Sequence, residues 1–247
     1  MTIASVLESA RLSPLELTGR ASSHVGEPGA DGCVLHPLAR RAFDLMAATA
    51  RADGLSLAAI SGFRAFDQQL AIWNGKYRGE RALLDRQGRP LDATALDDSG
   101  RVAAILVWSA LPGASRHHWG TDLDVIDRAA LPDGERVQLV PAEYAPGGWF
   151  AALDAWLAAR AAEFGFYRPY DVDRGGVQPE PWHLSFAPVS ARALPDLTVD
   201  VLAAALQTAP LAGSPVVFSQ LPALHERYVL RVAEPPAQAL AAPAFSV

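Results

Sequence analysis

The sequence predicts an α+β fold, because segments with helical spacing and segments with strand spacing both occur along the chain. Apolar residues recur at helical spacing through residues 36–52 and 149–164. Shorter apolar or alternating segments at 55–61, 121–126 and 182–186 predict strands. Half of the 247 residues are apolar, which is enough for a substantial hydrophobic core.

The segments between these elements complete the predicted order. Residues 67–75 predict a helix, and residues 102–110 predict another that Pro112 and Gly113 stop. Between them, residues 76–101 are charged and interrupted by glycine and proline, which predicts a long surface excursion. Such an excursion is either a functional lid or a solvated insertion.

The C-terminal part of the chain has a different composition. Beyond Pro195 it is rich in alanine, leucine and proline, with helical patterns at residues 199–206 and 220–232. We therefore predict one domain over residues 1–194, which includes an irregular N-terminal arm. A mostly helical extension over residues 195–247 is expected to pack on that domain or to trail from it.

Composition excludes several classes of protein. The formal net charge of -6, with arginine and glutamate interspersed, provides no basic face for nucleic acid. The absence of any run of about 18 uncharged apolar residues excludes a membrane-spanning helix. Residues 1–17 contain Glu8, Arg11 and Glu16 and lack the apolar stretch of a secretory signal. We therefore expect a cytoplasmic protein from the sequence as given, or a periplasmic one if a leader has been trimmed from it.

Cysteine usage narrows the chemistry further. Cys33 is the only cysteine, so an intramolecular disulfide is excluded and a metal site must be built from His, Asp and Glu. Three segments stand out: Ser-Gly-Phe-Arg at 61–64, Ser-Arg-His-His-Trp-Gly-Thr-Asp-Leu-Asp at 115–124 and Glu-Pro-Trp-His at 180–183. Each of these residues taken singly is more often structural, whereas their combination favours a functional site.

The second and third segments contain a ligand set suited to zinc. A hydrolytic zinc takes three protein ligands from histidine and carboxylate and leaves a fourth position for water. His117, Asp124 and His183 meet that need if a tight turn at Gly120 folds His117 back over the strand. Glu180 would face away from His183 in a regular strand, and the prolines beside it predict a departure from the pleat.

These motifs resemble a known family. Ser-x-His-x-x-Gly-x-x-x-Asp followed by Glu-x-Trp-His is similar to the signature of the zinc D-alanyl-D-alanine carboxypeptidases of the VanY and VanX kind. The resemblance covers residues 61–186 and implies the fold shared with the hedgehog signalling domain, a small antiparallel sheet flanked by helices. It also implies that Zn²⁺ is bound by His117, Asp124 and His183 and that Glu180 is the catalytic base.

The upstream segment extends the resemblance. Residues 61–64, followed by Gln68 or Gln69, resemble the family's Ser-Gly-Tyr-Arg segment, whose arginine contacts the substrate. The resemblance therefore implies a catalytic and substrate-binding role for Arg64, on the substrate's C-terminal carboxylate or the developing oxyanion. We assign Gln68 and Ser115 as further substrate-binding residues, although Ser115 is equally suited to forming the turn.

Two points of the motif stay open. The family usually has a small residue, commonly alanine, where this chain has Asp122. Asp122 shares a strand face with Asp124, so it is either a partner of a ligand or a competing ligand. The choice of His117 over His118 rests on the register of the motif alone.

The function implied by the resemblance is zinc-dependent hydrolysis of a peptide bond in peptidoglycan-type peptides. The expected reaction is release of C-terminal D-alanine by a monomeric D,D-carboxypeptidase or D,D-dipeptidase, from a peptidoglycan peptide or a small D-Ala-D-Ala-type peptide. An L,D-carboxypeptidase or a peptidoglycan endopeptidase is an alternative on the same fold. A zinc-stabilised binding module without turnover is another, and the presence of Glu180 argues against it because a structural zinc needs no base.

Overall fold

The computed structural model describes residues 11–241, and an antiparallel sheet lies at its centre. The strands are β1 (Leu57–Ser61), β2 (Leu83–Leu84), β3 (Pro90–Leu91), β4 (Asp122–Asp127), β5 (Phe166–Tyr167) and β6 (His183–Phe186). The four-stranded sheet has the order β1-β4-β6-β5 with antiparallel neighbours throughout, and β2 and β3 form a separate hairpin. The predicted α+β class is therefore confirmed.

Helices flank this sheet and account for most of the C-terminal part. They are α1 (Pro14–Leu17), α2 (Pro37–Ala52), α3 (Phe66–Tyr77), α4 (Asp98–Leu106), α5 (Ala151–Arg160), α6 (Ala187–Asp196), α7 (Val199–Gln207), α8 (Ser214–His225) and α9 (Ala237–Leu240). A 3₁₀ turn at Arg116–Trp119 leads into β4. No helix within residues 11–241 combines the length and the apolar character needed to cross a membrane.

The predicted division of the chain at residue 195 stays a prediction. The first ten residues of the expected arm and residues 242–247 of the expected extension lie outside the described residues.

One face of β4 packs into the core between the sheet and two helices. Leu123 and Val125 alternate along the strand, are completely buried and form one apolar cluster with side chains of α2 and α5. Because strand side chains point alternately to opposite faces, Asp122 and Asp124 project from the other face. The apolar core therefore determines which side of the sheet carries the carboxylates.

A second apolar cluster joins α3 and α4 to the C-terminal helices. Trp73 of α3 and Leu202 of α7 are completely buried within it. The indole N–H of Trp73 donates a hydrogen bond to the Ala212 carbonyl over 2.9 Å, and the Asn74 amide donates to the Pro210 carbonyl over 2.9 Å. The C-terminal helices thus support the helix that follows Arg64.

The structure corrects two parts of the sequence prediction. The excursion at residues 76–101 is not irregular, since it contains the β2–β3 hairpin and the first turn of α4. Helix α4 begins early because the Asp97 carboxylate accepts a hydrogen bond from the Gly100 N–H over 2.7 Å, which caps the helix. Helix α6 was not predicted from the sequence, and Pro188 lies in its first turn, where proline is tolerated.

Leu202→Ala should lower the free energy of unfolding by about 2–5 kcal/mol, because it opens a cavity in the second apolar cluster. Chemical denaturation followed by tryptophan fluorescence measures this change. Leu45 of α2 is 48% exposed and offers a matched control, since Leu45→Ala should change stability by no more than about 0.5 kcal/mol. Equal midpoints for Leu202→Ala and the unmodified chain would show that the C-terminal helices do not share this core.

Candidate metal centre

Backbone pairing between β4 and β6 brings the two histidine-containing motifs together. Asp124 and His183 lie directly opposite each other in the register of these strands. His117 reaches the same point from the 3₁₀ turn that precedes β4. One ligand atom of each residue lies within 4.8 Å of the others, and all three residues are buried. The three side chains assigned as ligands from the sequence therefore lie together in the structure.

The turn that carries His117 depends on Gly120. Gly120 has a φ of 65°, in the left-handed region that glycine adopts without steric strain. A Cβ atom at this position would lie 2.5 Å from the Val25 side chain and 2.9 Å from the backbone nitrogen of His36. The chain reverses here, and the Nε2 atom of His117 returns to 3.6 Å from Oδ2 of Asp124.

A hydrogen bond determines which nitrogen of His117 faces the site. The Nδ1–H group donates to the Gly62 carbonyl over 2.9 Å, which leaves Nε2 with a free lone pair. Burial lowers the pKa of His117 to about 4, so the imidazole is neutral at physiological pH. A neutral imidazole with an available nitrogen is the form that binds a metal ion.

The ring of the neighbouring His118 forms hydrogen bonds with the backbone instead. Its ring is completely buried, and its Nε2 accepts a hydrogen bond from the Gly113 N–H over 3.0 Å. Its Nδ1–H donates to the Arg64 carbonyl over 2.6 Å. Because both ring nitrogens are already used, the geometry supports His117 rather than His118 as the residue available to a metal.

Carboxylates surround His183. Its Nε2 lies 3.0 Å from Oδ1 of Asp122, while its Nδ1 lies 3.2 Å from Oε2 of Glu180 and 3.5 Å from Oδ1 of Asp124. Burial disfavours the charged imidazole, but the three nearby carboxylates outweigh burial and raise the pKa of His183. A buried cluster with this excess of negative charge favours a bound cation.

A turn, rather than a continuous strand, places Glu180 beside His183. The His183 N–H donates to the Glu180 carbonyl over 3.1 Å, and the Glu180 N–H donates to the Tyr170 carbonyl over 2.9 Å. The departure from the pleat expected from the flanking prolines is therefore present. Burial raises the pKa of Glu180, which brings the carboxyl group closer to a pH at which it can both accept and release a proton.

The donor set fits a zinc ion. Two imidazole nitrogens and one carboxylate are a usual combination for a hydrolytic zinc site. The Oδ1 atom of Asp124 is buried without a hydrogen-bond partner, which is unfavourable for a carboxylate oxygen unless a cation compensates it. Within residues 11–241, no other group of His, Cys, Asp and Glu side chains has an arrangement that could hold a metal ion.

Arg64 is held beside this centre by Gln69. The Arg64 backbone N–H donates to the His117 carbonyl over 3.1 Å, and its Nη1 donates to Oε1 of Gln69 over 2.9 Å. Gln69 is completely buried, and its amide nitrogen in turn donates to the Ala110 carbonyl over 2.8 Å. The orientation of the guanidinium group therefore depends on a buried amide in α3.

Gln68, which the sequence assigned to substrate binding, does not line the cleft in the structure. Its side chain is exposed, and its Oε1 accepts a hydrogen bond from the Ala65 N–H over 2.9 Å, which caps the start of α3. Successive helical residues are rotated by about 100°, so the next residue, Gln69, points inward to Arg64. The sequence did not distinguish these neighbours because it did not fix the rotation of the helix.

A cleft with a volume of about 710 Å³ lies over these residues. Arg64, Ser115, His117, Asp124 and Glu180 line it.

The β2–β3 hairpin forms one wall of the cleft and is fastened at two points. The Trp108 indole N–H donates to the Asp85 carbonyl over 2.8 Å. Arg86 at the hairpin tip forms an ion pair with Asp173 over 2.6 Å. The hairpin is therefore tied to the opposite loop and keeps its place in the wall.

Two residues of the cleft were not predicted from the sequence. The ring of Tyr170 packs edge-on against His183, with ring centroids 5.0 Å apart, and nothing in the sequence marks it. Arg116 pairs with Asp122 over 2.8 Å. The available signal was Asp122 itself, because a buried carboxylate requires a counter-charge and Arg116 lies in the same motif.

Comparisons with known proteins identify the family of this chain. The model of the VanY family, described as D-alanyl-D-alanine carboxypeptidase, matches residues 33–189. An uncharacterized protein of Haemophilus influenzae is 34% identical over 122 residues, which are 49% of this chain and 93% of that protein. A D-alanyl-D-alanine carboxypeptidase of Enterococcus faecalis is 26% identical over 145 residues, which are 58% of this chain and 44% of that protein.

A solved structure shares the fold. The structure of the LdcB LD-carboxypeptidase has a TM-score of 0.50 and 23% sequence identity, and the match covers 73% of this chain and 77% of that one. The chain belongs to the VanY D-alanyl-D-alanine carboxypeptidase family, since the family model spans more than half of it and includes both histidine-containing motifs. Its relatives therefore indicate a peptidase.

The adjacent histidines provide a matched pair for testing the metal centre. His117→Ala should lose bound zinc, because it removes one of three donors, whereas His118→Ala should retain stoichiometric zinc. His118→Ala should instead lower the free energy of unfolding by about 1–3 kcal/mol, since it leaves two buried backbone groups unpaired. Elemental analysis after dialysis, together with thermal unfolding, separates the two effects. Equal zinc content in both variants would contradict the assignment.

Proposed function

We propose that the protein uses zinc to hydrolyse a peptide bond in peptidoglycan-type peptides and releases C-terminal D-alanine, as a D,D-carboxypeptidase or D,D-dipeptidase. The observation that carries the proposal is the position of Glu180. Its carboxylate lies 3.2 Å from His183, in the cleft that also contains the three side chains suited to bind zinc. A purely structural metal site needs no such group, and membership of the VanY family supports a peptidase.

His117, Asp124 and His183 are the residues that would hold the zinc ion. When bound, zinc polarises the scissile carbonyl and lowers the pKa of water at the open coordination position. Asp124 and His183 are fixed by strand pairing, and His117 is fixed by its hydrogen bond to the Gly62 carbonyl. A donor set held in this way needs little rearrangement before it can act.

Glu180 is the base in this proposal. It accepts a proton from the attacking water and delivers it to the departing amine of the scissile bond. Burial raises its pKa, so the protonated form that must donate to the amine is more accessible than for an exposed glutamate. The turn that contains Glu180 and His183 fixes the distance between the base and the metal donors.

Arg64 recognises the substrate's C-terminal carboxylate or steadies the developing oxyanion. Burial lowers the pKa of Arg64, but the group starts from so high a value that it stays charged at any working pH. Its planar fork suits a carboxylate, and Gln69 occupies one of its donors and fixes its direction. Ser115 lines the same cleft and offers a hydroxyl group to the peptide.

The β2–β3 hairpin, which forms one wall of the cleft, supports an exopeptidase rather than an endopeptidase. Leu84, Arg86, Gln87 and Gly88 close one side of the cleft, and the contacts of this hairpin with Trp108 and Asp173 hold it there. A closed end accommodates a short C-terminal segment more readily than a polymer that continues in both directions. An endopeptidase or an L,D-carboxypeptidase would use the same residues and would differ in the products.

Glu180→Gln should retain stoichiometric zinc and lose activity by about 10²–10⁴-fold, because the amide cannot accept the proton. Mass spectrometry of products from a panel of defined muropeptides and dipeptides, with and without chelator, measures both the activity and the bond cleaved. The exposed Glu163 provides a control, since Glu163→Gln should leave activity unchanged.

Three other outcomes of that panel would overturn the proposal. Full activity of Glu180→Gln would remove the proposed base, and cleavage that a chelator does not stop would remove the metal. Stoichiometric zinc without cleavage of any muropeptide would identify a binding module instead.

Arg64→Met should reduce kcat/KM on a peptide with a free C-terminal carboxylate to the level that the unmodified enzyme shows on the corresponding C-terminal amide. The reason is that both changes remove the same ion pair between guanidinium and carboxylate. Steady-state kinetics on the acid and amide peptides measures this, with Gln68→Ala as a control that should change neither value. An equal loss on both peptides would instead assign Arg64 to the oxyanion.

A further inference from the structure

We propose that Arg116 and Asp122 form a buried ion pair that holds the ring of His183 in the orientation it needs for metal binding. This inference rests on the proposed function and extends it to two residues that are not metal ligands. The motif resemblance implies no role for Asp122, since the related motif usually has a small residue at that position.

Asp122 is buried completely and uses both carboxylate oxygens. Its Oδ1 accepts hydrogen bonds from Nε of Arg116 over 2.8 Å and from Nε2–H of His183 over 3.0 Å. Its Oδ2 accepts from the Thr121 hydroxyl over 2.7 Å and from the Ser185 hydroxyl over 3.1 Å. Four donors therefore saturate Asp122, which makes it unsuited to be a competing metal ligand.

The contact with Asp122 fixes a proton on one ring nitrogen of His183. A carboxylate only accepts hydrogen bonds, so Nε2 of His183 carries a proton that it donates to Asp122. Nδ1, which lies 3.5 Å from Asp124 and 3.2 Å from Glu180, is then the nitrogen left for a bound metal ion. The centre therefore presents Nε2 from His117 and Nδ1 from His183.

Arg116 compensates the negative charge of the buried Asp122 carboxylate and holds it in place. The Arg116 side chain is 3% exposed and that of Asp122 is 0% exposed, so neither charge is solvated. Nη2 of Arg116 also donates to the Tyr167 hydroxyl over 3.1 Å and to the Ser185 hydroxyl over 2.7 Å. Because an unpaired buried charge is strongly destabilising, the pair acts as one unit.

A carboxylate behind a metal-binding histidine orients the ring and makes the ligand nitrogen more basic, and its loss usually weakens metal affinity by about 10–100-fold. We therefore expect Asp122 to act on zinc binding through His183. A purely structural ion pair would change the stability of the fold and leave the affinity of the folded protein for zinc unchanged.

Zinc affinity of the folded protein, measured by competition with a chromophoric chelator, tests the inference. Asp122→Asn should weaken zinc binding by about 10–100-fold. The double variant Arg116→Met/Asp122→Ala avoids an unpaired buried charge and should fold, with the same weakening. Asp127 is a buried aspartate on the same strand that accepts from the backbone N–H of Ser56, so Asp127→Asn is the matched control and should keep full affinity.

A measurement on the unmodified protein keeps the inference testable if the variants fail to fold. In ¹⁵N-histidine-labelled, zinc-loaded protein, long-range ¹H–¹⁵N correlation should show His183 protonated at Nε2 and bound through Nδ1. Binding through Nε2, or full zinc affinity in either folded variant, would overturn the inference while leaving the proposed hydrolysis intact. Absence of zinc binding by the unmodified chain would instead overturn the proposed function.

Discussion

The antiparallel pairing of β4 with β6 is the constraint on which the site depends. It places Asp124 opposite His183 and Asp122 opposite Ser185. One strand register therefore positions two of the proposed metal ligands and also Asp122, the carboxylate that contacts His183. A slip by one residue would turn the carboxylates into the apolar core and would expose Leu123 in the cleft. Packing of the apolar face of β4 against α2 and α5 therefore fixes the register that directs Asp122 and Asp124 to the opposite face.

Nearby charge explains why the pKa values of His117 and His183 shift in opposite directions. Burial dominates at His117 and outweighs the attraction of Asp124, so its pKa falls to about 4. His183 has three carboxylates around it, and together they outweigh burial and raise its pKa. Without a metal, the cluster favours a proton on His183, and a divalent cation satisfies the same need for positive charge. Arg116 compensates Asp122 separately, which leaves Asp124 and Glu180 to face the metal position.

Much of this centre could be predicted from the sequence, because His117, Asp124 and His183 fall in motifs whose geometry depends on a glycine turn and a strand. Where the structure differs from the expectations, the causes are physical. Gln68 was chosen over Gln69 because spacing alone does not determine how a helix is rotated. The hairpin within residues 76–101 has strands of only two residues each and depends on contacts with distant parts of the chain, which local propensity does not encode. The partner of a buried carboxylate is likewise a property of the fold.

The central claim is that two distant motifs share one metal ion beside Glu180. Anomalous diffraction at the zinc absorption edge, from crystals of the zinc-loaded protein, tests it most directly. The account predicts one peak coordinated by Nε2 of His117, a carboxylate oxygen of Asp124 and Nδ1 of His183, with Glu180 adjacent and not displaced. A peak elsewhere, or a zinc ion that contacts only one of the two motifs, would contradict it.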